Sequence, residues 1–336
     1  VTQGSSGTLA LATGSNFGGT EGSSYSLRNI DGTSDINLGG TTTVTGGSYF
    51  EPRTATVYAS VLNNIVWNSG QYWVGEIRIG GTLVVNAAKH MQPYGGSQNV
   101  TVTGDVTLNG QLSAYPNGHT DLNTMTFGSL TIANGGAYAA TTGTTTITGE
   151  TGNDAWVDQG TFTHNKGLVK IAPATDITDT FVTTNTTGYF YDFEMDMDGA
   201  TDQCMFNPNG GSLKILNNCT CTTGKFVVEG AADNIEVIGI THIKTNSTFG
   251  GEDGGANQTG TMKLGHVLLD GGTFVAPASD GLTVESFRRL SGTITENSNT
   301  LEMVGTGGII EGDLDDLPVN VNLDPVVNFD GTNDYL

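Results

Sequence analysis

One pattern recurs between Thr101 and Ile171. A short stretch of alternating apolar and polar residues is followed by a turn that contains glycine, and then by another such stretch. Alternation with a period of two is typical of β-strands, because successive side chains point to opposite faces. The turns include Asn109-Gly110, Asn134-Gly135-Gly136 and Gln159-Gly160. Since the same unit repeats along the chain, the sequence predicts stacked coils rather than one closed sandwich.

The spacing of these turns sets the size of one coil. Comparable glycine turns fall near residues 81, 110, 136 and 160, and again near 211, 272, 292 and 308. The separations are roughly 16 to 30 residues, with wider gaps where a turn is degenerate, and this length suits three short strands with their corners. The predicted fold is therefore all-β: a right-handed parallel β-helix, or a related β-solenoid, over residues 51–312. A β-sandwich of hairpins is the structural alternative.

The two ends of the chain differ from this array. Residues 1–50 are mostly Gly, Ser, Thr and Asn with isolated apolar positions, which predicts an extended arm or irregular first coils. Residues 313–336 carry several Asp residues and two prolines, which is typical of a linker that leaves the solenoid.

The net charge of the chain limits the kinds of partner that it can bind. The chain has 12 basic and 34 acidic residues, a net charge of −22. Such a chain is repelled by phosphate backbones, which argues against nucleic-acid binding, and by anionic membrane surfaces. No apolar run is long enough to insert into a membrane. The excess of carboxylates instead attracts divalent cations.

The strongest constellation of acidic residues follows Tyr191. Apolar and acidic residues alternate there, and the carboxylates on one strand face are those of Asp192, Glu194, Asp196 and Asp198. Glu194, Asp196, Asp198 and Gly199 match the first half of a calcium loop, although Met205 stands where its last acidic ligand belongs. A solvent-facing ladder is the favoured interpretation. Calcium is the alternative and the only candidate cofactor; a catalytic pair of carboxylates is the third interpretation.

Two further groups of residues, the tryptophans and the cysteines, are candidates for a specific role. Trp67 and Trp73 are close together, and we interpret them as a cap over the core or as a stacking platform for a glycan. Cys204, Cys219 and Cys221 have no regular spacing, and we interpret them as buried small apolar residues. A disulfide from Cys204 is the alternative, and a zinc site would need more ligands.

Catalytic motifs are not evident. The five histidines are scattered, His164 is interpreted as a turn residue, and the chain contains no HExxH, GxSxG or Walker-type sequence. Cleavage of a polysaccharide would need acidic residues on adjacent coils, and the candidates for this are Asp154, Asp158 and Asp176. The sequence therefore predicts a protein that is not an enzyme.

Two segments resemble known families. WVDQGTFTHNKGLVKI, followed by TGYFYDFEMD, resembles a repeat in the β-helical regions of large bacterial and phage surface proteins. The closing VVNFDGTNDYL resembles the first strand of laminin-G/concanavalin-like lectin domains. The second resemblance implies that the natural chain continues into a carbohydrate-binding jelly roll.

These resemblances imply an extracellular or virion-surface location and a structural or adhesive role. The expected protein is a phage fibre, spike or decoration whose partners are other virion proteins and host glycans. Assembly with itself as a homotrimer is expected by analogy with phage fibres. A bacterial cell-surface or secreted adhesin is the first alternative, and a polysaccharide-degrading tailspike is the second.

Overall fold

The structure is a computed structural model in which the described residues are all strands, turns or corners. Those residues are 9–11, 25–29, 38–46, 48–52, 59–69, 72–73, 77–93, 99–113, 124–149, 154–173, 179–185, 189–208, 211–228, 230, 232–252, 259–278, 281–295, 300–303, 310–311 and 320–323. No helix occurs among them. The chain forms two compact units, Val1–Thr175 and Asp176–Leu336, called the N-terminal and C-terminal units below.

The N-terminal unit contains three parallel ladders, to which successive coils of the chain contribute strand segments. The first ladder contains the start of Ala59–Ser69, Ile77–Ile79, the start of Val100–Leu108, the start of Met125–Ile132, Thr144–Ile147 and Leu168–Ile171. The second contains Leu9–Leu11, Leu38–Gly46, the rest of Ala59–Ser69, Leu83–Val85, the rest of Val100–Leu108 and of Met125–Ile132, and Asp154–Asp158. The third is a seven-stranded sheet of Tyr25–Asn29, Ser48–Pro52, Tyr72–Trp73, His90–Pro93, Gln111–Ser113, Ala137–Ala139 and Thr161–Thr163.

The C-terminal unit repeats this arrangement. Its first ladder contains Ser212–Ile215, the starts of Asn234–Lys244, Met262–Val275 and Leu282–Thr295, then Thr300–Met303 and Asn320–Leu323. Its second contains Asp192–Asp196, the start of Cys219–Val228, the middle or later parts of the three long strands, and Ile310–Glu311. Its third contains Asp179–Thr184, Gln203–Pro208, the end of Cys219–Val228, Ser247–Glu252 and the ends of Met262–Val275 and Leu282–Thr295.

The register gives the coil length directly. In the first ladder of the N-terminal unit, Ile77, Val100, Met125, Thr145 and Val169 are consecutive partners, so one coil takes 20 to 25 residues. All strand pairings among the residues whose register is described are parallel, which a sandwich of antiparallel hairpins would not give. The predicted β-solenoid is therefore confirmed, and its handedness stays a prediction.

Apolar side chains stack in continuous rows inside the ladders. In the second ladder of the N-terminal unit, Trp67, Val85, Leu108 and Ile132 are consecutive partners, and all are buried. In the C-terminal unit, phenylalanine rings stack from coil to coil: Phe206 on Phe226 with centroids 4.3 Å apart, and Phe226 on Phe249 at 4.7 Å. Because each inner row is filled at every coil, adjacent coils share one apolar core.

Side-chain amides and carboxylates link the corners of successive coils. The Oδ1 atom of Asn64, Asn99, Asp192, Asn218 or Asn234 accepts a hydrogen bond from a backbone N–H one coil later, at 2.7–3.0 Å. The donors are Thr82, Thr124, Asn218, Ile240 and Thr261 in the same order. Corners leave ladder N–H groups without a strand partner, and these side chains satisfy them.

The predicted glycine turns form a corner where successive coils touch. Gly110, Gly136 and Gly160 each precede a strand of the third ladder, and their followers, residues 111, 137 and 161, are consecutive partners. An added Cβ at Gly136 would lie 2.0 Å from the carbonyl oxygen of Leu108, one coil below. Only glycine fits such an approach.

The ladders extend into both predicted end segments. Leu9–Leu11 pairs in parallel with residues 42–44, and Tyr25–Asn29 with Ser48–Pro52. Asn320–Leu323 pairs with Thr300–Met303, past the predicted boundary at residue 312. The VVNFDGTNDYL segment lies outside the described residues, and the predicted domain boundaries stay predictions.

Adjacent glycines allow a test of the corner. We expect Gly136→Ala to lower the free energy of unfolding by about 3 kcal/mol or more, because the methyl group would overlap a backbone oxygen that cannot move without shifting a coil. Gly135→Ala meets no atom within 4 Å, and its φ of 85° costs the variant only about 1 kcal/mol. Denaturant unfolding of both variants measures the difference, and equal losses would contradict the stacked-corner explanation.

Candidate functional site

The outer side of the second ladder in the C-terminal unit carries charged side chains, histidines and exposed aliphatic side chains. We call it the 192–291 face. Its side chains alternate with buried ones along each strand, and they belong to five successive coils. Coil by coil they are Asp192, Glu194 and Asp196; Asn218, Thr220 and Thr222; Ile240, His242 and Lys244; His266, Leu268 and Asp270; Ser286, Arg288 and Leu290.

The acidic ladder forms the first coil of this face. Asp192–Asp196 is a strand whose carboxylates are half-exposed, while Phe193, Met195 and Met197 are buried. Asp192 accepts hydrogen bonds at Oδ1 from Asn217 Nδ2 at 2.8 Å and from the backbone N–H of Asn218 at 3.0 Å. Thr222 Oγ1 donates to Glu194 at 3.4 Å. Asp198 follows the strand and is exposed.

The spacing of the carboxylates along the strand differs from that of the ligands in a calcium loop. Alternate residues of a strand are about 7 Å apart, and a calcium loop instead folds its ligands around one ion. Among the residues that the structure describes, no group of three or more His, Cys, Asp or Glu side chains is arranged to hold a metal ion. Calcium binding by Asp192, Glu194, Asp196 and Asp198 stays a prediction.

The later coils of the face carry basic and aliphatic groups. His242 Nε2 lies 3.5 Å from Asp270 Oδ2, close enough for an ion pair when the ring is protonated. His266 Nδ1 and Ser286 Oγ share a hydrogen bond of 2.7 Å. Ile240 is 44% exposed and Leu290 55% exposed. On the later coils, basic residues are therefore in register with acidic ones: Lys244 with Asp270, and Arg288 with Glu311 of the following coil.

The burial of Trp67 does not fit the glycan-platform interpretation. Trp67 is 1% exposed, and its Nε1 donates to the carbonyl oxygen of His90 at 3.1 Å. With both ring faces inside the core, Trp67 has no surface on which a sugar can stack. Trp73 is in the strand Tyr72–Trp73, and its side chain lies outside the described residues.

The three cysteines are buried free thiols, as predicted. Cys219 and Cys221 point to the same side of their strand, with the outward Thr220 between them. Burial raises the pKa of Cys204 and, with the added effect of its neighbouring thiols, that of Cys219. Neutral thiols in an apolar core are weak nucleophiles and weak metal ligands.

His164 is a turn residue, as predicted. Its Nδ1 accepts the backbone N–H of Lys166 at 2.9 Å, and its carbonyl oxygen accepts that of Gly167 at 2.8 Å. Asn165 and Lys166 both have positive φ, and Asn165 Nδ2 donates to the carbonyl oxygen of Ala140 on the preceding coil at 2.7 Å. The HNKG sequence thus closes one corner of a coil.

Of the three acids considered for catalysis, the two that the structure describes differ in burial. Asp154 is exposed at the start of its strand, Asp158 is 1% exposed at the end, and Asp176 lies outside the described residues. Asp158 occupies the inner row that continues from Ile132. Its Oδ1 accepts the N–H of Gly160 at 3.1 Å, and its Oδ2 has no hydrogen-bond partner among the described residues. Burial raises the pKa of Asp158, and the bond from Gly160 only partly opposes this.

The sequence analysis named Asp158 but missed its burial, and it missed the pairing of His90 with Ser113. Asp158 has the same parity as the buried Trp156, so strict alternation already indicated an inward carboxylate. His90 Nε2 and Ser113 Oγ share a hydrogen bond of 2.6 Å across one coil, and the partial burial of the ring lowers the pKa of His90. These residues are 23 positions apart, and only the register of the coils brings them together.

Comparison with known proteins gives no relative: no protein-family model matches the chain, and no curated protein or solved structure is significantly similar to it. Within the described part of the chain, no helix is sufficiently long and apolar to cross a membrane. The suspected phage or adhesin family stays a prediction.

Asp158 should make stability depend on pH. Because its pKa is raised in the folded state, the native protein binds the extra proton, and stability falls as pH rises from about 4 through the folded pKa. We expect Asp158→Asn, which keeps the acceptor for Gly160, to be more stable than the parent at pH 7 by roughly 1 kcal/mol. The difference should vanish below about pH 4, where both side chains are neutral. Unfolding curves over this pH range check the result; a less stable variant at pH 7 would be contrary to it.

The thiols should be unreactive in the folded protein. We expect an aromatic disulfide reagent to modify none of the three cysteines under native conditions and all three in concentrated guanidinium chloride, because burial keeps them neutral and inaccessible. Thr220→Cys is the matched control, since it places a thiol on the outer side of the same strand. Fast labelling of the native parent chain would show that the core opens.

Proposed function

We propose that this chain is a non-enzymatic β-solenoid scaffold on a virion surface, in a phage fibre, spike or decoration, and that it holds carbohydrate-binding modules away from that surface. The observation that carries the proposal is the continuity of the parallel ladders in each unit. A solenoid grows along one axis by adding coils, so its length can be set by the number of coils. That property suits a spacer better than a catalyst.

The hydrogen-bonded ladders also favour resistance to proteases, which a surface-exposed protein needs. Backbone N–H groups in the strands bond to the adjacent coil, and the corner bonds of Asn64, Asn99, Asn218 and Asn234 protect further N–H groups. Proteases cut backbone that can open locally, and paired, packed backbone opens rarely. The −22 charge keeps such a surface soluble and discourages strand-edge aggregation.

One outer row of the N-terminal unit contains small polar side chains on three successive coils. In the first ladder of the N-terminal unit, Thr101, Thr126 and Thr146 are consecutive outward partners. Most enzyme sites are clefts that surround the substrate. A flat row of threonines offers hydroxyl and methyl groups on an open surface instead. This supports a structural role, and the resemblance of the last residues to lectin domains supports carbohydrate binding by a neighbouring module.

The test is a survey of the native source by quantitative mass spectrometry and cryo-electron microscopy. We expect the chain in purified virions at a fixed number of copies per particle and at a symmetric position on capsid or tail. Recovery in cell-envelope or culture-supernatant fractions without capsid proteins would overturn this proposal and favour the bacterial adhesin. Release of reducing ends from host polysaccharide by the purified chain would instead favour the tailspike.

A further inference from the structure

Two corners of the N-terminal unit differ in length although they occupy the same place in successive coils. The strands on either side of them are in register, Leu108 with Ile132 and Gln111 with Ala137. Residues 109 and 110 connect the strands of the earlier coil, whereas residues 133–136 connect those of the later coil. The later corner therefore has two more residues, and these are Asn134 and Gly135.

Asn134 and Gly135 project from the corner. Both are exposed, whereas Gly136 is buried against the preceding coil. The N–H of Gly136 donates to the carbonyl oxygen of Ala133 at 2.7 Å, and Gly135 has a φ of 85°. This hydrogen bond and this φ are those of a type II turn, with Asn134 and Gly135 at its two central positions.

We propose that Asn134 is a site of spontaneous deamidation, at which the backbone nitrogen of Gly135 attacks the side-chain amide carbon. This inference is independent of the proposed function. The backbone nitrogen gives up its proton to a base in the solvent and bonds to Cγ, while the side-chain nitrogen takes up a proton and leaves as ammonia. Water then opens the succinimide ring at one of its two carbonyl carbons, which gives aspartate or isoaspartate.

The reaction needs an accessible backbone nitrogen and a peptide that can rotate. Among the described residues, the N–H of Gly135 donates to no acceptor, and the side chain of Asn134 has no hydrogen-bond partner. A Cβ added at Gly135 would meet no atom within 4 Å. Because glycine tolerates both signs of φ, the central peptide of the turn can rotate until its nitrogen approaches the amide carbon.

The shorter corner contains the same dipeptide, Asn109-Gly110, in surroundings that oppose the reaction. Gly110 is buried, and its N–H donates to the carbonyl oxygen of Val85 at 3.0 Å. A Cβ added at Gly110 would overlap the carbonyl oxygens of Asn86 and Lys89 on the preceding coil. The nitrogen of Gly110 is therefore engaged, and its peptide cannot rotate without displacing that coil.

Deamidation at Asn134 should leave the coils in register. Isoaspartate lengthens the backbone by one CH₂ group, and the projecting turn can take up this change because both of its ends are held. Ala133 donates its N–H to the carbonyl oxygen of Leu108 at 3.0 Å, and Gly136 packs on the same oxygen. Modified chains therefore stay folded and accumulate with time, each with one more negative charge.

The experiment is peptide mapping by mass spectrometry after incubation of the full chain in mildly alkaline buffer, in the native state and in concentrated guanidinium chloride. We expect native Asn134 to deamidate at least about tenfold faster than native Asn109, because Gly110 must first break a hydrogen bond and leave the preceding coil. In denaturant the two sites should react at similar rates. Asn117 and Asn209 also precede glycine but lie outside the described residues, and fragmentation assigns them separately.

Gly135→Ala is the matched variant, because its methyl group hinders attack on the amide carbon but overlaps no other atom. We expect it to slow the deamidation of native Asn134 several-fold and to leave the rate at Asn109 unchanged. Native Asn134 that reacts no faster than native Asn109, or that reacts only in guanidinium chloride, would overturn the proposal.

Circular dichroism of the incubated chain tests whether the corner takes up the change. We expect the strand spectrum of the fresh protein to persist when most chains are modified at residue 134. Loss of that spectrum in step with deamidation would contradict the accumulation of folded, modified chains.

Discussion

The structure depends on the parallel pairing of each coil with the next. A short strand such as Ile77–Ile79 or Thr161–Thr163 has three residues and could not stay ordered alone. It is held because its backbone groups bond to the same segment of adjacent coils and its inward side chain lies in a continuous apolar row. Stability in each unit is therefore shared between neighbours, as in other repeat architectures.

The corners impose a stricter constraint than the strands. Strand positions accept several β-branched or aromatic residues, as shown by inner rows that contain Trp67, Val85, Leu108 and Ile132. Corners must instead bring backbone to backbone, as at Gly136, or supply an acceptor for an N–H, as Asn234 does for Thr261. The high content of Gly and Asn in this chain follows from these corner requirements.

A few polar side chains are buried in the otherwise apolar interior of the solenoid. Tyr138 is buried, and its hydroxyl shares a hydrogen bond of 2.7 Å with the buried Thr145 across the core, so the pair is satisfied. Asp158 is also buried but has only one of its oxygens bonded among the described residues. The hydrogen bond between Tyr138 and Thr145 adds structural specificity at little cost in stability. Asp158 instead makes the stability of its inner row depend on the protonation of one carboxyl group.

The sequence by itself determined the fold class, the coil length and the inward or outward side of most strand residues, because a period of two and recurrent glycine turns are local signals. It predicted the alternation from Asp192 to Met197, the burial of the cysteines and the turn at His164 from neighbouring residues alone. Only the tertiary structure decided which residues meet across coils, because the 20- to 25-residue register depends on the length of every corner. The pairing of His90 with Ser113 and the stacking of outward residues from successive coils on the 192–291 face both arise from that register, and no local pattern encodes it.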